Sequence, residues 1–158
     1  MTLAEDLLEI AKSKGIVVAT AESCTGGLVA GAITDVPGSS AILDRGFVTY
    51  TNDAKKELLD VLDPTIDEHG AVSEQVASEM AQGALQASKA NIAVSVTGIA
   101  GPGGSEFKPE GRVCFGVATP DAVDTETVEF GAIGRAEVRE ASVDKALTLL
   151  IKAARAAG

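Results

Sequence analysis

At 158 residues, 46% hydrophobic and 23% charged, the chain can bury a real core in one domain and has the composition of an ordinary soluble globular protein. Its net charge of −10, with no clustered Lys/Arg run, argues against nucleic acid as a partner, because duplex binding needs a basic surface. Two cysteines, Cys24 and Cys114, are too few for a disulfide framework, and neither has a neighbour at metal-site spacing.

Leu3, Leu7, Leu8, Ile10 and Ala11 recur at helical spacing up to a C-cap at Gly15. This acidic amphipathic start lacks the basic head and unbroken apolar stretch of a signal peptide, and no later run approaches spanning length. A cytoplasmic protein with reduced thiols and no membrane partner is expected. Ile16–Ala21 reads as a buried strand, Thr25–Thr34 as a helix stopped by Pro37-Gly38, and Ser39–Leu43 as a short helical turn. Gly46–Thr51 reads as a second strand, followed by a helix over Ala54–Val61 capped by Asn52-Asp53. Asp60–Gly70 is acidic and reads as a solvated loop; its carboxylates do not match a calcium-loop spacing, and His69 is the only histidine, so no metal is expected.

Ser73 caps a predicted helix over Glu74–Ser88, and Ile92–Val96 is a strongly apolar strand running into the glycine-rich Thr97–Gly111. Val113–Thr119 and Thr125–Phe130 alternate as antiparallel strands, and a long amphipathic helix covers about Arg135–Ala156. Helices alternate with strands early and a hairpin comes late. The expected fold is therefore α/β: one domain over residues 1–158, three layers α/β/α around a mixed sheet of about five strands.

Three segments carry chemistry. AESCTGG at Ala21–Gly27 places a hydroxyl and a thiol, Ser23 and Cys24, on a turn between a strand and a helix, with Thr25, Gly26 and Gly27 following. Glycines at a helix N-terminus let an oxyanion or phosphate approach unpaired N–H groups. TGIAGPGG at Thr97–Gly104 also follows an apolar strand, and ligands of open α/β sheets gather beyond such strand ends. If the two strands are neighbours, both loops face one crevice. Neither loop is a Walker A or a dinucleotide fingerprint. The third segment, Tyr50–Lys55, sets a lysine in the first turn of a helix, where the macrodipole disfavours a cation. Ser, Tyr and Lys together can perform acyl transfer without histidine, since a desolvated lysine can take the serine proton directly or through the tyrosine.

AESCTGG, RGFVTYTNDAKKELLDV at Arg45–Val61, HGAVSE at His69–Glu74 and TGIAGPGGSEFKPEG at Thr97–Gly111, in that order, resemble the C-terminal domain of the CinA proteins. The resemblance covers about Leu3–Ile151. It implies the fold above and, because 158 residues leave no room for the molybdopterin-related domain that many members carry, the stand-alone form. That form hydrolyses nicotinamide mononucleotide (NMN) to nicotinate mononucleotide and ammonia, with no metal or organic cofactor. On this resemblance the nucleophile falls on Ser23, the tyrosine on Tyr50 and the catalytic lysine on Lys55 rather than Lys56. The substrate-binding positions fall on Thr25, Gly26, Gly27, Thr97, Gly98, Ile99, Ala100 and Gly101. Thr51 stands where a serine is usual, and Glu110 and Arg112 flank Gly111 where neutral residues are expected. Which glycine loop holds phosphate and which the oxyanion is left open. The rival expectation is a nucleotide-binding regulatory module without turnover. A homodimer is expected from the prevalence of symmetric oligomers alone.

Overall fold

A computed structural model describes residues 1–158. The chain runs α1 (Leu3–Lys14), β1 (Val18–Glu22), α2 (Leu28–Thr34), a 3-10 turn (Ser39–Ala41), β2 (Leu43–Val48), α3 (Asn52–Leu59), α4 (Asp63–His69), α5 (Glu74–Gln86), β3 (Ile92–Gly98), β4 (Arg112–Ala118), β5 (Val123–Glu129) and α6 (Arg135–Ala156). The five strands form one mixed sheet in the order β2-β1-β3-β4-β5. β1 is parallel to both β2 and β3, while β4 and β5 add antiparallel. This is the mixed α/β architecture expected from the sequence. No helix is long and apolar enough to cross a membrane.

The two faces of the sheet carry different residues, and this sets how closely each helical layer approaches. Val18, Val94, Val96, Val113 and Phe115 belong to a large core with Leu7 of α1, Val29 of α2 and Leu150 of α6. On the opposite face β1 and β3 present Ala19, Ala21 and Ala93 to Val76 and Met80 of α5. Small side chains there let the α5 backbone come close. The Ser95 hydroxyl donates to the Ala77 carbonyl at 2.6 Å, and a Cβ on Gly116 would meet that same oxygen at 2.6 Å. Strand alternation therefore assigns bulk to one face and backbone approach to the other.

α3 is held against α5 by a similar close approach. A Cβ on Gly83 would lie 2.0 Å from the Leu59 carbonyl oxygen, which is backbone and cannot swing aside. Gly83→Ala is expected to destabilise the fold by about 1–3 kcal/mol, read as a drop in melting temperature of roughly 2–4 °C per kcal/mol.

The structure corrects some boundaries. Asp63–His69, expected as loop, is a helix begun by Pro64 in its first turn and closed at Gly70, with its carboxylates on the outside. Seven residues with no buried side chain give no amphipathic signal to read. The predicted helix over Thr25–Thr34 starts only at Leu28, because Gly26 and Gly27 take positive φ (56° and 106°) and keep residues 25–27 as a turn. The second strand is Leu43–Val48 rather than Gly46–Thr51, ending where the chain swings out toward α3.

Candidate active site

β1 and β3 are adjacent and parallel, so their C-terminal ends open together. Beyond them lies a cleft of about 350 Å³, within the size range of small-molecule sites, lined by Ser23, Tyr50, Asn52, Lys55, Thr97–Glu106 and Arg135, among others. The two motif loops thus do face one crevice.

Ser23 is placed by the backbone. Its N–H donates to the Val96 carbonyl at 2.9 Å, extending the β1–β3 ladder by one residue, and its carbonyl accepts from Gly26 N–H at 3.0 Å as the chain turns. Lys55 reaches it from α3. The Thr51 hydroxyl caps that helix by accepting from Ala54 N–H at 3.1 Å, so the departure from serine at this position keeps the cap. The Lys55 ammonium nitrogen, Nζ, lies 3.1 Å from Ser23 Oγ and 3.3 Å from the Thr49 carbonyl oxygen, with the Tyr50 carbonyl at 3.5 Å. No carboxylate forms an ion pair with it, and Lys55 is only 2% exposed. Burial disfavours its charged form and pulls its pKa below the ordinary lysine value; the negative charge of Glu106 works in the opposite direction. Lys56, its neighbour, points outward to Asp53 and Asp63, at 3.5 and 2.6 Å, which raises its pKa.

Cys24 is buried in the apolar core, and burial pushes its thiol up to about 11. A thiolate is the reactive form of cysteine, so this thiol is a poor nucleophile despite its position.

Tyr50 sits differently from a proton relay. Its carbonyl faces the Ser23–Lys55 pair, accepting from Ser23 Oγ at 3.4 Å. Its phenol is on the cleft rim, where Arg135 Nη2 donates to the hydroxyl at 3.1 Å, and the residue is 58% exposed. Serine and lysine therefore meet without the phenol between them.

Of the predicted binding positions, Thr97, Gly98, Ile99, Ala100 and Gly101 line the cleft. The N–H groups of Ala100, Gly101, Gly103 and Gly104 donate to no protein acceptor, while the Thr97 hydroxyl is committed to the Ala71 carbonyl at 2.8 Å. Thr25, Gly26 and Gly27 do not line the cleft, contrary to expectation. The N-terminus of α2 is already filled: the Glu22 carboxylate accepts from Val29 N–H at 2.8 Å and Ala30 N–H at 3.1 Å. Glu110, one of the unexpected charges, packs against Gly101, and Arg112 pairs with Glu129, so neither enters the cleft.

Sequence reasoning missed Arg135. This residue opens α6, donates to the Gly101 carbonyl at 2.7 Å and bonds the Tyr50 phenol, so it ties two cleft segments together and brings a cation to the rim. The signal that marked Lys55 was present here too, a cation in the first turn of a helix where the dipole opposes it.

At the open ends of parallel strands of an α/β sheet, a buried serine–lysine pair therefore sits beside a loop of free N–H groups, residue types that can together carry out acyl transfer. The chain belongs to the CinA C-terminal domain family, whose model matches residues 1–154. It is 57% identical over 120 residues to the nicotinamide-nucleotide amidohydrolase PncC of Escherichia coli K12, covering 75% of this chain and 73% of that one. It is 63% identical over 111 residues to the protein of the same name from Enterobacter agglomerans, covering 70% and 68%. The crystal structure of the competence/damage inducible protein CihA from Agrobacterium tumefaciens superposes with a TM-score of 0.92 at 52% identity, over 95% of this chain and 92% of that one. Other curated relatives are longer: the chain spans 29% of a CinA-like protein from Chloroherpeton thalassium.

Proposed function

We propose that this chain hydrolyses the carboxamide of nicotinamide mononucleotide, with Ser23 as nucleophile and Lys55 as general base. The 3.1 Å contact between Ser23 Oγ and the buried, unpaired Lys55 Nζ carries the reading, and the names of the PncC relatives supply the substrate. Neutral Lys55 takes the serine proton as Oγ attacks the carboxamide carbon. The resulting lysinium then gives that proton to the departing nitrogen, and ammonia leaves an ester on Ser23. Water attacks the ester, Lys55 accepts the water's proton, and its return to Oγ releases nicotinate mononucleotide. The Tyr50 and Thr49 carbonyls orient the amine.

The tetrahedral oxyanion needs preorganised donors. Cys24 N–H directly follows the nucleophile and donates to no protein acceptor, so it is the donor we assign. The substrate phosphate goes to the free N–H groups of Ala100, Gly101, Gly103 and Gly104 with Arg135 at the rim, since the Glu22 carboxylate already fills the N-terminus of α2. With a net charge of −10, this recognition is local rather than long-range.

Ammonia release from NMN and from nicotinamide riboside tests the reading. Wild type is expected to turn over NMN with a much higher kcat/KM than the riboside, because charge-assisted hydrogen bonds to phosphate are the strong ones. Arg135→Met should raise KM for NMN by roughly tenfold or more, the scale of one charged hydrogen bond, and leave the riboside nearly unaffected. Equal efficiency on both substrates would remove the phosphate site, and binding of NMN without ammonia release would favour the regulatory module.

A further inference from the structure

Glu22 is a buried carboxylate that the chemistry above does not use. It is 1% exposed, stands immediately before the nucleophile, and faces no cation at ion-pair distance. Its two oxygens are nevertheless fully engaged. Oε1 accepts from the Thr25 hydroxyl at 2.6 Å and from Val29 N–H at 2.8 Å, and Oε2 accepts from Ala30 N–H at 3.1 Å. Strand alternation sends Glu22 to the α2 face of the sheet, and Gly27, the residue before α2, has no side chain to cap it. The helix is thus capped from the end of β1, across the turn that holds Ser23. The outer side of the turn is gripped by Arg139 of α6, whose Nε donates to the Cys24 carbonyl at 3.1 Å and whose Nη2 donates to that of Thr25 at 3.4 Å. The Glu22 carbonyl also accepts from Thr49 N–H at 2.8 Å, and the Thr49 carbonyl in turn receives Lys55 Nζ. One residue therefore connects both halves of the serine–lysine pair.

We propose that Glu22 is a positioning residue that locks the Ser23 turn from inside, its carboxylate bracing Thr25 and α2 so that Oγ is held toward Lys55. The proposal rests on the amidase reading for its kinetic test. Glutamine is the diagnostic replacement. It keeps the size but turns an NH2 toward donors that need an acceptor, so the turn must shift. Small misplacements of a reacting atom are costly: Glu22→Gln should lower kcat for NMN by about tenfold to a hundredfold while KM moves by no more than about threefold. Thr25→Val, which deletes only the 2.6 Å bond, should lower kcat in the same direction, and Thr25→Ser, which restores the hydroxyl, should recover it.

A second readout does not depend on NMN. Labelling of Ser23 by a serine-directed fluorophosphonate should slow in Glu22→Gln and Thr25→Val and recover in Thr25→Ser. If Glu22→Gln does not fold, the Thr25 pair decides the matter. A purely structural role predicts lower melting temperatures with kcat per folded molecule and labelling rate unchanged, and that result overturns the proposal. Wild type that labels normally but releases no ammonia from NMN would sink the amidase reading alone.

Discussion

Ser23→Ala is expected to reduce ammonia release from NMN by at least about a thousandfold, the scale seen when a nucleophile is removed and only binding and oxyanion contacts remain. Binding of NMN, measured by calorimetry, should persist, because the loop proposed to hold the phosphate and Arg135 are untouched. The informative control is Cys24→Ala. In most proteins a cysteine beside a serine on such a turn would be the stronger nucleophile. Here the thiol is buried in the apolar core and held up to about 11, whereas the serine hydroxyl has an amine 3.1 Å away. Cys24→Ala should keep most of the activity. An inactive Cys24→Ala beside an active Ser23→Ala would exchange the two roles.

Lys55→Met should lose at least about a hundredfold in kcat, as expected for a positioned acid–base group. Lys56→Ala, which removes only surface ion pairs, should change it by no more than about twofold. In wild type, kcat/KM should rise with pH and level off at a midpoint below the ordinary lysine value of 10.5, since only the neutral amine can accept the serine proton. The same depressed pKa has a consequence for stability. Between the lowered folded value and 10.5 the unfolded chain binds a proton that the folded chain does not, so this group's contribution to stability rises with pH across that window. Below the window the folded protein carries the cost of a buried cation. The melting temperature of Lys55→Met relative to wild type should therefore be highest at low pH and decline as pH approaches 10.5. A constant difference across that range would mean that Lys55 titrates alike in both states. It would then be no better a base than a surface lysine.

Several of these features could be read before any coordinates. The strand before AESCTGG, the apolar run before TGIAGPGG and the lysine in the first turn of α3 are local patterns, and each is found in the fold, although α3 is capped by Thr51 and already includes Asn52 and Asp53, the residues expected to cap it. Arg135 carried the same dipole signal as Lys55. It escaped because it begins a long helix remote in sequence from every motif, and nothing local links Gly134-Arg135 to Gly101 or Tyr50. The helix over Asp63–His69 escaped for a different reason: a seven-residue acidic helix with no fully buried side chain has no clear period to detect.

The glycines after Ser23 show the limit most clearly. Read locally, Thr25-Gly26-Gly27 before a helix is an anion site, because a helix N-terminus has free N–H groups and a favourable dipole. That inference depends on what else can reach the same donors. The sequence determined the order of elements, the alternation that buries Val18, Thr20 and Glu22 on one face of β1, and the residue types of the site. These follow from short-range sterics and from the twofold and 3.6-residue periods of the backbone. Only the tertiary structure decided who meets whom. It seats the Glu22 carboxylate on the α2 N–H groups and turns the Tyr50 phenol toward Arg135 instead of Ser23. It also carries Lys55, 32 residues away along the chain, to the serine hydroxyl. Such contacts are set by how helices pack on a twisted sheet, and a linear pattern does not encode which of two available partners a donor will find.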